Sequence, residues 1–173
     1  MSMNNSIVLT VISDDHPGIV QTISEVLTHH GGNWTQSSMS TLAGKFAGIL
    51  LVSVPATNTD ACLAELKALE SKGLRVIAHV GHAREEAEKT RQYTLELVGN
   101  DHIGIVHDIT TLLASNNVSV NEFETSVESA SMAGGDIFRA KAILDVPESV
   151  DVDVLEAELE DMSNDLMVDI KFL

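Results

Sequence analysis

Apolar residues along this chain recur with two different periods, one typical of helices and the other typical of strands. Between residues 19 and 27 they fall at offsets 0, 1, 4, 7 and 8, which is one face of an amphipathic helix. Runs of residues with high β propensity flank this helix. Gly31-Gly32 is a typical signal for the end of the helix, and Pro55 for the end of a strand. The first 81 residues therefore predict the order β-α-β-β-α-β, with elements at 7–13, 18–30, 33–42, 45–54, 58–72 and 74–80.

The second half of the chain repeats this pattern. A shift of 86 residues places the segment 15–20 (DHPGIV) on the segment 101–106 (DHIGIV). Further along the shift becomes 92, so six extra residues enter the second copy, and we expect them in the Ser-, Ala- and Gly-rich stretch 129–135. The second copy predicts elements at 93–99, 104–116, 119–127, 136–146, 152–164 and 167–172. We therefore expect two domains, 1–81 and 91–173, joined by a polar linker over 82–90.

The repeated order defines the fold class. It is the split β-α-β arrangement of ferredoxin-like domains, so the chain is predicted to be α+β, with two tandem βαββαβ units. Two helices in each unit can cover only one face of its sheet. The other sheet face must then be solvated or covered by a partner.

Charge is distributed unequally between the two copies. The chain has 173 residues and a net charge of −16, with 10 Lys and Arg against 26 Asp and Glu. Residues 1–81 carry a net charge of −2, whereas residues 91–173 carry −13. Phosphate contacts need clustered cations, so this composition argues against direct nucleic-acid binding. The predicted helix 152–164 lies in a segment, 145–165, with nine acidic residues and no basic one; it is either a solvated face or a docking surface for a protein.

The sequence favours a soluble cytoplasmic protein. No basic residue precedes Lys45, and no apolar run approaches 18 residues, so neither a secretory signal nor a membrane span is predicted. Cys62 is the single cysteine and lies in the apolar phase of a predicted helix. We interpret it as a buried hydrophobic residue, without a disulfide.

The residues that could carry catalysis or bind metal give weak signals. The histidine pairs at 29–30 and at 79 and 82 have neither a cysteine nor a close carboxylate set at ligand spacing, so we predict no metal site. Asp15 and His16 do not predict a catalytic dyad, because neighbouring side chains in an extended turn point apart. The chain is expected not to be an enzyme. An enzyme with a site in a cleft between the domains remains an alternative.

The turn between the first strand and the first helix is the recurring feature with chemical content. Here Asp15 can act as the N-cap, Pro17 suits the first helical turn, and Gly18 removes the Cβ that would block close approach. The free N–H groups of such a helix start can hold an anion such as a carboxylate. The alternative is that this is simply a well-capped turn.

These features together resemble the ACT domain family. The resemblance rests on the βαββαβ order, on the strand–[DN]-x-x-G-[IV]-[IV]–helix turn and on the Gly-Gly-Asn-Trp at 31–34, and it covers both halves outside the linker. Within the family, the duplicated unit with a longer second hairpin is similar to the two-domain repressors of the glycine cleavage system.

The resemblance implies a binding site for an amino acid. ACT domains pair side by side into eight-stranded sheets, and the ligand touches the turn of one domain and the start of the second strand in that domain or its neighbour. The implied ligand-binding residues are Asp15, His16, Gly18, Ile19 and Asn33 in the first copy, and Asp101, His102, Gly104 and Ile105 in the second. Asp15 would pair with the ligand ammonium, the N–H groups near Gly18 and Ile19 would hold its carboxylate, and Asn33 would bond to either group. Ser119 replaces Asn33 in the second copy, and Ile103 replaces Pro17.

The resemblance also implies a function. It suggests a regulator without a cofactor that responds to glycine or a similar small amino acid and opposes a DNA-binding activator protein. We expect a homodimer formed through exposed helices or strand edges. The alternative is a free-standing ACT regulator that controls a metabolic enzyme by contact.

Overall fold

The computed structural model describes residues 3–80, 88–130, 132 and 134–173. The chain divides into two compact units, Met1–Ala83 and Arg84–Leu173. Most of the predicted linker, residues 82–87, lies outside the described residues. Its last residue, Thr90, already belongs to the first strand of the second unit.

The first domain has the predicted element order. Its elements are β1 (Asn4–Asp14), α1 (Ile19–His29), β2 (Asn33–Leu42), β3 (Lys45–Pro55), α2 (Thr59–Ala68) and β4 (Arg75–Val80). The strands form one antiparallel sheet in the order β2-β3-β1-β4. The predicted second helix is shorter than expected, because 3-10 turns at Ala56–Asn58 and Leu69–Lys72 flank α2.

The second domain repeats this topology. Its elements are β5 (Thr90–Asn100), α3 (Ile105–Ser115), β6 (Ser119–Ser129), β7 (Asp136–Pro147), α4 (Val152–Glu160) and β8 (Met167–Phe172). The sheet order is β6-β7-β5-β8, again antiparallel. The predicted last helix, 152–164, ends early at Glu160. Both units are therefore βαββαβ domains of the α+β class, as predicted.

Each core lies between one sheet face and the two helices of its domain. In the first domain, alternate residues of β1, such as Leu9, are buried against apolar residues of α1 and α2, such as Ile23 and Cys62. Cys62 is free and fully buried, as expected. Leu95 and Ile109 have the corresponding positions in the second core. Among the described residues, no helix of either domain covers the opposite face of its sheet.

The hairpins explain the six extra residues of the second copy. β2 and β3 are joined by Ala43 and Gly44 alone, which have positive φ angles of 49° and 77° as in a type I′ turn. The connection between β6 and β7 spans residues 130–135, and each of these strands is one residue longer than its counterpart.

In the part of the chain that the structure describes, no helix is long and apolar enough to span a bilayer.

Candidate functional site

The turns that precede α1 and α3 have the same backbone geometry. Gly18 is the N-cap of α1, with φ 93° and ψ 1°, and Gly104 caps α3 with φ 91° and ψ 3°. No side chain caps either helix. The prediction that Asp15 is the N-cap is therefore wrong, and so is the placement of Pro17 in the first helical turn. Glycine adopts this left-handed conformation without strain, and each helix begins at the residue that follows it.

Backbone groups rather than side chains are available at the start of each helix. The side chains of Ile19 and Ile105 are buried in their cores, with 3% and 6% exposure, so only their backbone can face a ligand. In the second domain the Ile105 N–H already donates to the His102 carbonyl at 3.2 Å. Because α1 has no side-chain cap, its first N–H groups are suited to an anion.

Each turn is anchored to the neighbouring hairpin. The backbone N–H of Asp15 donates to the Gly44 carbonyl at 2.9 Å, and that of Asp101 donates to the Asp136 carbonyl at 2.8 Å. The His16 ring donates from Nδ1 to the Pro17 carbonyl at 3.0 Å. Since the backbone makes the anchor, the side chains of Asp15 and His16 remain exposed at the rim of the turn.

The electrostatic surroundings of the two turns differ. Beside the first turn, Asp14 at the end of β1 forms an ion pair with Lys45 at the start of β3. The hydrogen bond from Lys45 and its charge hold the pKa of Asp14 below its usual value. Lys45 was not among the predicted site residues, because the hairpin signal places it only opposite Leu42, and its position opposite Asp14 follows from the pairing of β1 with β3.

The second turn is surrounded by carboxylates. Asp165 accepts a hydrogen bond from the Asn100 N–H at 2.9 Å, and Asp108 lies 3.5 Å from the His102 ring. Hydrogen bonds from Ser163 and from the backbone lower the pKa of Asp165, so this group stays ionised. A ligand carboxylate would meet more negative charge here than at the first turn.

Asn33 lies far from the other predicted site residues of its own domain. It pairs with Ser53, and Ser53 also pairs with Ser6 on β1, whereas the turn follows Asp14. Eight residues of β1 therefore separate the two positions, or about 26 Å at 3.3 Å per residue. A ligand that contacts both the turn and an Asn33 side chain must take them from two different domains.

Two clefts among the described residues lie away from these turns. One, of about 350 Å³, lies in the second domain where β5 begins and α4 starts, and is lined by residues that include Arg91, Tyr93 and Asp151. Another, of about 330 Å³, lies in the first domain between α2 and β4, beside Leu66 and Val76. Neither contains a residue of the two turns. Residues 15–18 and 101–104 are exposed, so a ligand at either turn would be enclosed only with a second molecular surface.

A histidine and carboxylate cluster joins α1 to α2. His30 Nε2 donates to Glu65 Oε2 at 2.6 Å, and His29 Nδ1 lies 3.5 Å from the same oxygen. The sequence has no carboxylate at ligand spacing from this histidine pair, and the fold brings Glu65 to it from 35 residues away. The donor atoms lie within 4.8 Å of one another and are of types that zinc accepts.

The second domain indicates a structural role for this cluster. There the Asn116 side chain, which ends α3 as His30 ends α1, donates to Glu158 of α4 at 3.2 Å. The same helix-to-helix bridge thus forms without any histidine. We interpret the cluster in the first domain as this bridge, in which the hydrogen bond from His30 lowers the pKa of Glu65.

Comparisons with known proteins agree with this architecture. The ACT domain family model matches residues 5–80. A solved structure of an unknown protein from Galdieria sulphuraria is 27% identical, with 99% of both chains covered and a TM-score of 0.86. A second structure, described as a putative glycine cleavage system transcriptional repressor, is 19% identical, with 99% of both chains covered and a TM-score of 0.69.

A search of curated protein sequences found no significant match. The family model covers the first domain, and the full-length structural matches extend the fold to the second. The two domains have the same strand order, and the turns before α1 and α3 have the same backbone angles. Residues 5–80 therefore match the ACT domain family, and the second domain repeats the same βαββαβ topology.

Proposed function

We propose that this protein is a non-enzymatic, cytoplasmic regulator that binds a small amino acid, with glycine as the leading candidate. We propose further that it represses the glycine cleavage system through a DNA-binding activator protein rather than on DNA. The uncapped start of α1, with Asp15 exposed beside it, is the observation that carries the ligand proposal. The net charge of −16 supports action through a protein, because a direct DNA surface would need cations.

The first turn suits an amino-acid zwitterion better than the second does. Its helix N–H groups would hold the ligand carboxylate, and the Asp15 carboxylate would pair with the ammonium. Because Asn33 of the same domain is about 26 Å away and the second domain has Ser119 at this position, the amide contact would come from the first domain of a second copy. The second turn offers Asp101, His102 and Gly104 in a more acidic setting, so we assign it the weaker binding.

Calorimetric titration tests the ligand proposal. Glycine, serine and alanine are titrated into the full chain and into the variants Asp15→Ala and Asp101→Ala. Loss of a charge-assisted hydrogen bond costs about 1.5–3 kcal/mol, so Asp15→Ala should weaken binding by about 10- to 150-fold. Asp101→Ala is the matched control and should leave that affinity unchanged. Both variants keep the backbone hydrogen bond that anchors the turn.

The outcomes separate the alternatives. If no amino acid binds at millimolar concentration and Asp15→Ala has no effect in a reporter assay, the protein is not an amino-acid sensor. If Asp101→Ala abolishes the binding heat and Asp15→Ala does not, the ligand occupies the second turn.

Co-purification from the source cell tests the partner. We expect a DNA-binding activator, retained or released according to the amino acid present. Recovery of a metabolic enzyme instead would favour the alternative of an enzyme regulator. A gel shift with the pure protein should show no tight, salt-sensitive DNA binding, and such binding would contradict the charge argument.

The acidic helix α4 is the proposed docking surface for this partner. Its apolar residues Leu155 and Leu159 are buried, which directs its acidic residues outward. Two of them already bind within the domain: Glu156 accepts from the Ile170 N–H at 3.0 Å and Glu158 accepts from Asn116. The other two, Asp153 near the start and Glu160 at the end of the helix, are exposed and would meet a basic surface of the activator.

A further inference from the structure

The outer face of the first sheet, opposite the helices, is apolar at its centre. In the strand register, Thr10 of β1 lies between Ile49 of β3 and Ile77 of β4. These isoleucines are 51% and 44% exposed, and Ile12, two residues further along β1, is 49% exposed. Three large aliphatic side chains therefore stand on the open surface of one four-stranded sheet.

The rows on either side are nearly free of charge. Val8 lies between Leu51 and His79, and Ile12 lies between Ala47 and Arg75. On the β2 side the same three rows end in Gln36, Ser38 and Ser40. We call these twelve positions the outer face of the first domain. Arg75 is its one permanently charged residue.

The second domain has a different surface at the same twelve positions. Its central row consists of Glu96 between Lys141 and Asp169, in place of Thr10 between two isoleucines. The full set contains seven charged residues: Glu96, Glu122, Glu124, Arg139, Lys141, Asp169 and Lys171. Lys141 lies 3.6 Å from Glu96, and Lys171 lies 2.6 Å from Asp169. The register is preserved between the copies, so the fold does not require the outer face of the first domain to be apolar.

We propose that the outer face of the first domain is a dimer interface, on which the same face of a second copy packs. Two sheets pack face to face about 10 Å apart, with their side chains interdigitated. A two-fold axis would place this face on itself and bring aliphatic side chains against aliphatic side chains. The proposal rests on the homodimer expected from the sequence but not on amino-acid binding, and it replaces the expected contact through helices or strand edges.

The size of the face agrees with what a dimer needs. The four strands contain 11, 11, 10 and 6 residues. At about 3.3 Å per residue and 4.8 Å between strands they cover about 600 Å² per copy. This area is that of the whole outer side of the sheet, of which the twelve positions form the centre. Two copies that pack over all of it bury about 1,200 Å², the lower end of the range of specific protein–protein interfaces.

Charge favours a second copy as the occupant of this face. Each chain carries −16, with most of that charge on the second domain, so two copies repel one another wherever acidic surfaces meet. The outer face of the first domain is where two chains can meet without placing carboxylates opposite carboxylates. Because salt screens the remaining repulsion, the dimer should tighten as ionic strength rises.

Sedimentation velocity of the full chain tests the proposal. The wild-type chain should be a dimer at micromolar concentration. The double variant Ile49→Glu and Ile77→Glu lowers the net charge by two and buries four carboxylates in the dimer, so it should weaken the dimer by at least about 100-fold. Lys141→Glu makes the same change in net charge on the second sheet and should remain dimeric. The substituted side chains are exposed in one chain, so circular dichroism should show both variants folded.

Cross-linking locates the contact. A short thiol cross-linker should join two copies of a Thr10→Cys variant and should not join copies of a Glu96→Cys variant, because Cys62 is buried in both. A wild-type monomer would overturn both the homodimer and this interface. If the double isoleucine variant remains dimeric, or if the two variants dissociate equally, the homodimer stands and this interface is wrong. Neither result depends on whether glycine binds in the calorimetric titration.

Discussion

Replacing Gly18 by alanine separates two explanations for a glycine at the start of α1. Either the left-handed backbone requires glycine, or a ligand requires the space that a Cβ would fill. Gly18 has a φ of 93°, and a Cβ built there meets nothing within 4 Å. The protein itself therefore has room for the methyl group, and the cost of the substitution to folding comes from backbone conformation alone.

The magnitude follows from two opposing terms. The left-handed conformation costs a residue with a Cβ about 1–2 kcal/mol. Alanine also restricts the unfolded chain, which returns about 0.4–1 kcal/mol. The free energy of unfolding should fall by roughly 1 kcal/mol, which corresponds to a decrease in Tm of about 4–8 °C for a domain of this size. Gly18→Asn should lose less stability, because asparagine tolerates this conformation.

Thermal unfolding and calorimetric titration of the two Gly18 variants form the assay. If the ligand needs the open space, both variants should lose glycine affinity, although Asn is the more stable. Gly104→Ala is the matched control, with φ 91° and the same open space, and should lose stability without losing affinity. A Gly18→Ala variant as stable as the wild type would refute the conformational reasoning. If Gly18→Asn binds glycine normally, then the ligand does not approach this Cα.

Three further predictions concern stability. Leu9→Ala removes a fully buried side chain and should lower the free energy of unfolding by about 2–5 kcal/mol in urea titration; a loss under 1 kcal/mol would contradict the assigned core. Asp151 caps α4 by accepting from the N–H groups of Asp153 and Val154, so Asp151→Ala should cost about 0.5–2 kcal/mol, and an unchanged urea midpoint would argue against the cap. Glu65 has a lowered pKa through its hydrogen bond with His30, so the carboxylate stabilises the fold above its ordinary pKa of 4.5, and this contribution is lost as pH falls below 4.5. Stability measured from pH 6 to pH 3 should therefore fall more steeply for the wild type than for Glu65→Gln, and parallel curves would exclude the bridge as the cause.

The residue pattern predicted the bounds of an element correctly where both ends of that element carry strong stop signals. β2 begins at Asn33 and ends at Leu42 as predicted, because Gly-Gly precedes it and Ala-Gly follows it. The prediction of Asp15 rather than Gly18 at the N-cap was wrong for a physical reason. Both residue types are common at helix starts, and the backbone angle that decides between them is not visible in the residue pattern.

The site depended on contacts between distant parts of the chain. Glu65 lies 35 residues from His30, so spacing rules for metal ligands and hydrogen bonds did not connect them. The separation of Asn33 from the first turn follows only from the strand order β2-β3-β1-β4. The sequence does contain a signal for the apolar outer face, because the unbroken apolar run 49–52 in β3 is typical of a strand covered on both sides.

Under the proposed interface, the charged outer face of the second domain also determines how many other chains one chain can bind. A chain with one self-adhering sheet face can join one other chain, and growth then stops at a closed pair. A chain with two such faces would be bivalent and would polymerise into open strings of molecules. Changing the row Lys141, Glu96 and Asp169 to Ile, Thr and Ile would copy the first domain's central row onto the second and convert a terminating unit into a propagating one. Under the proposed interface, the seven charges on the second sheet limit each chain to one such contact.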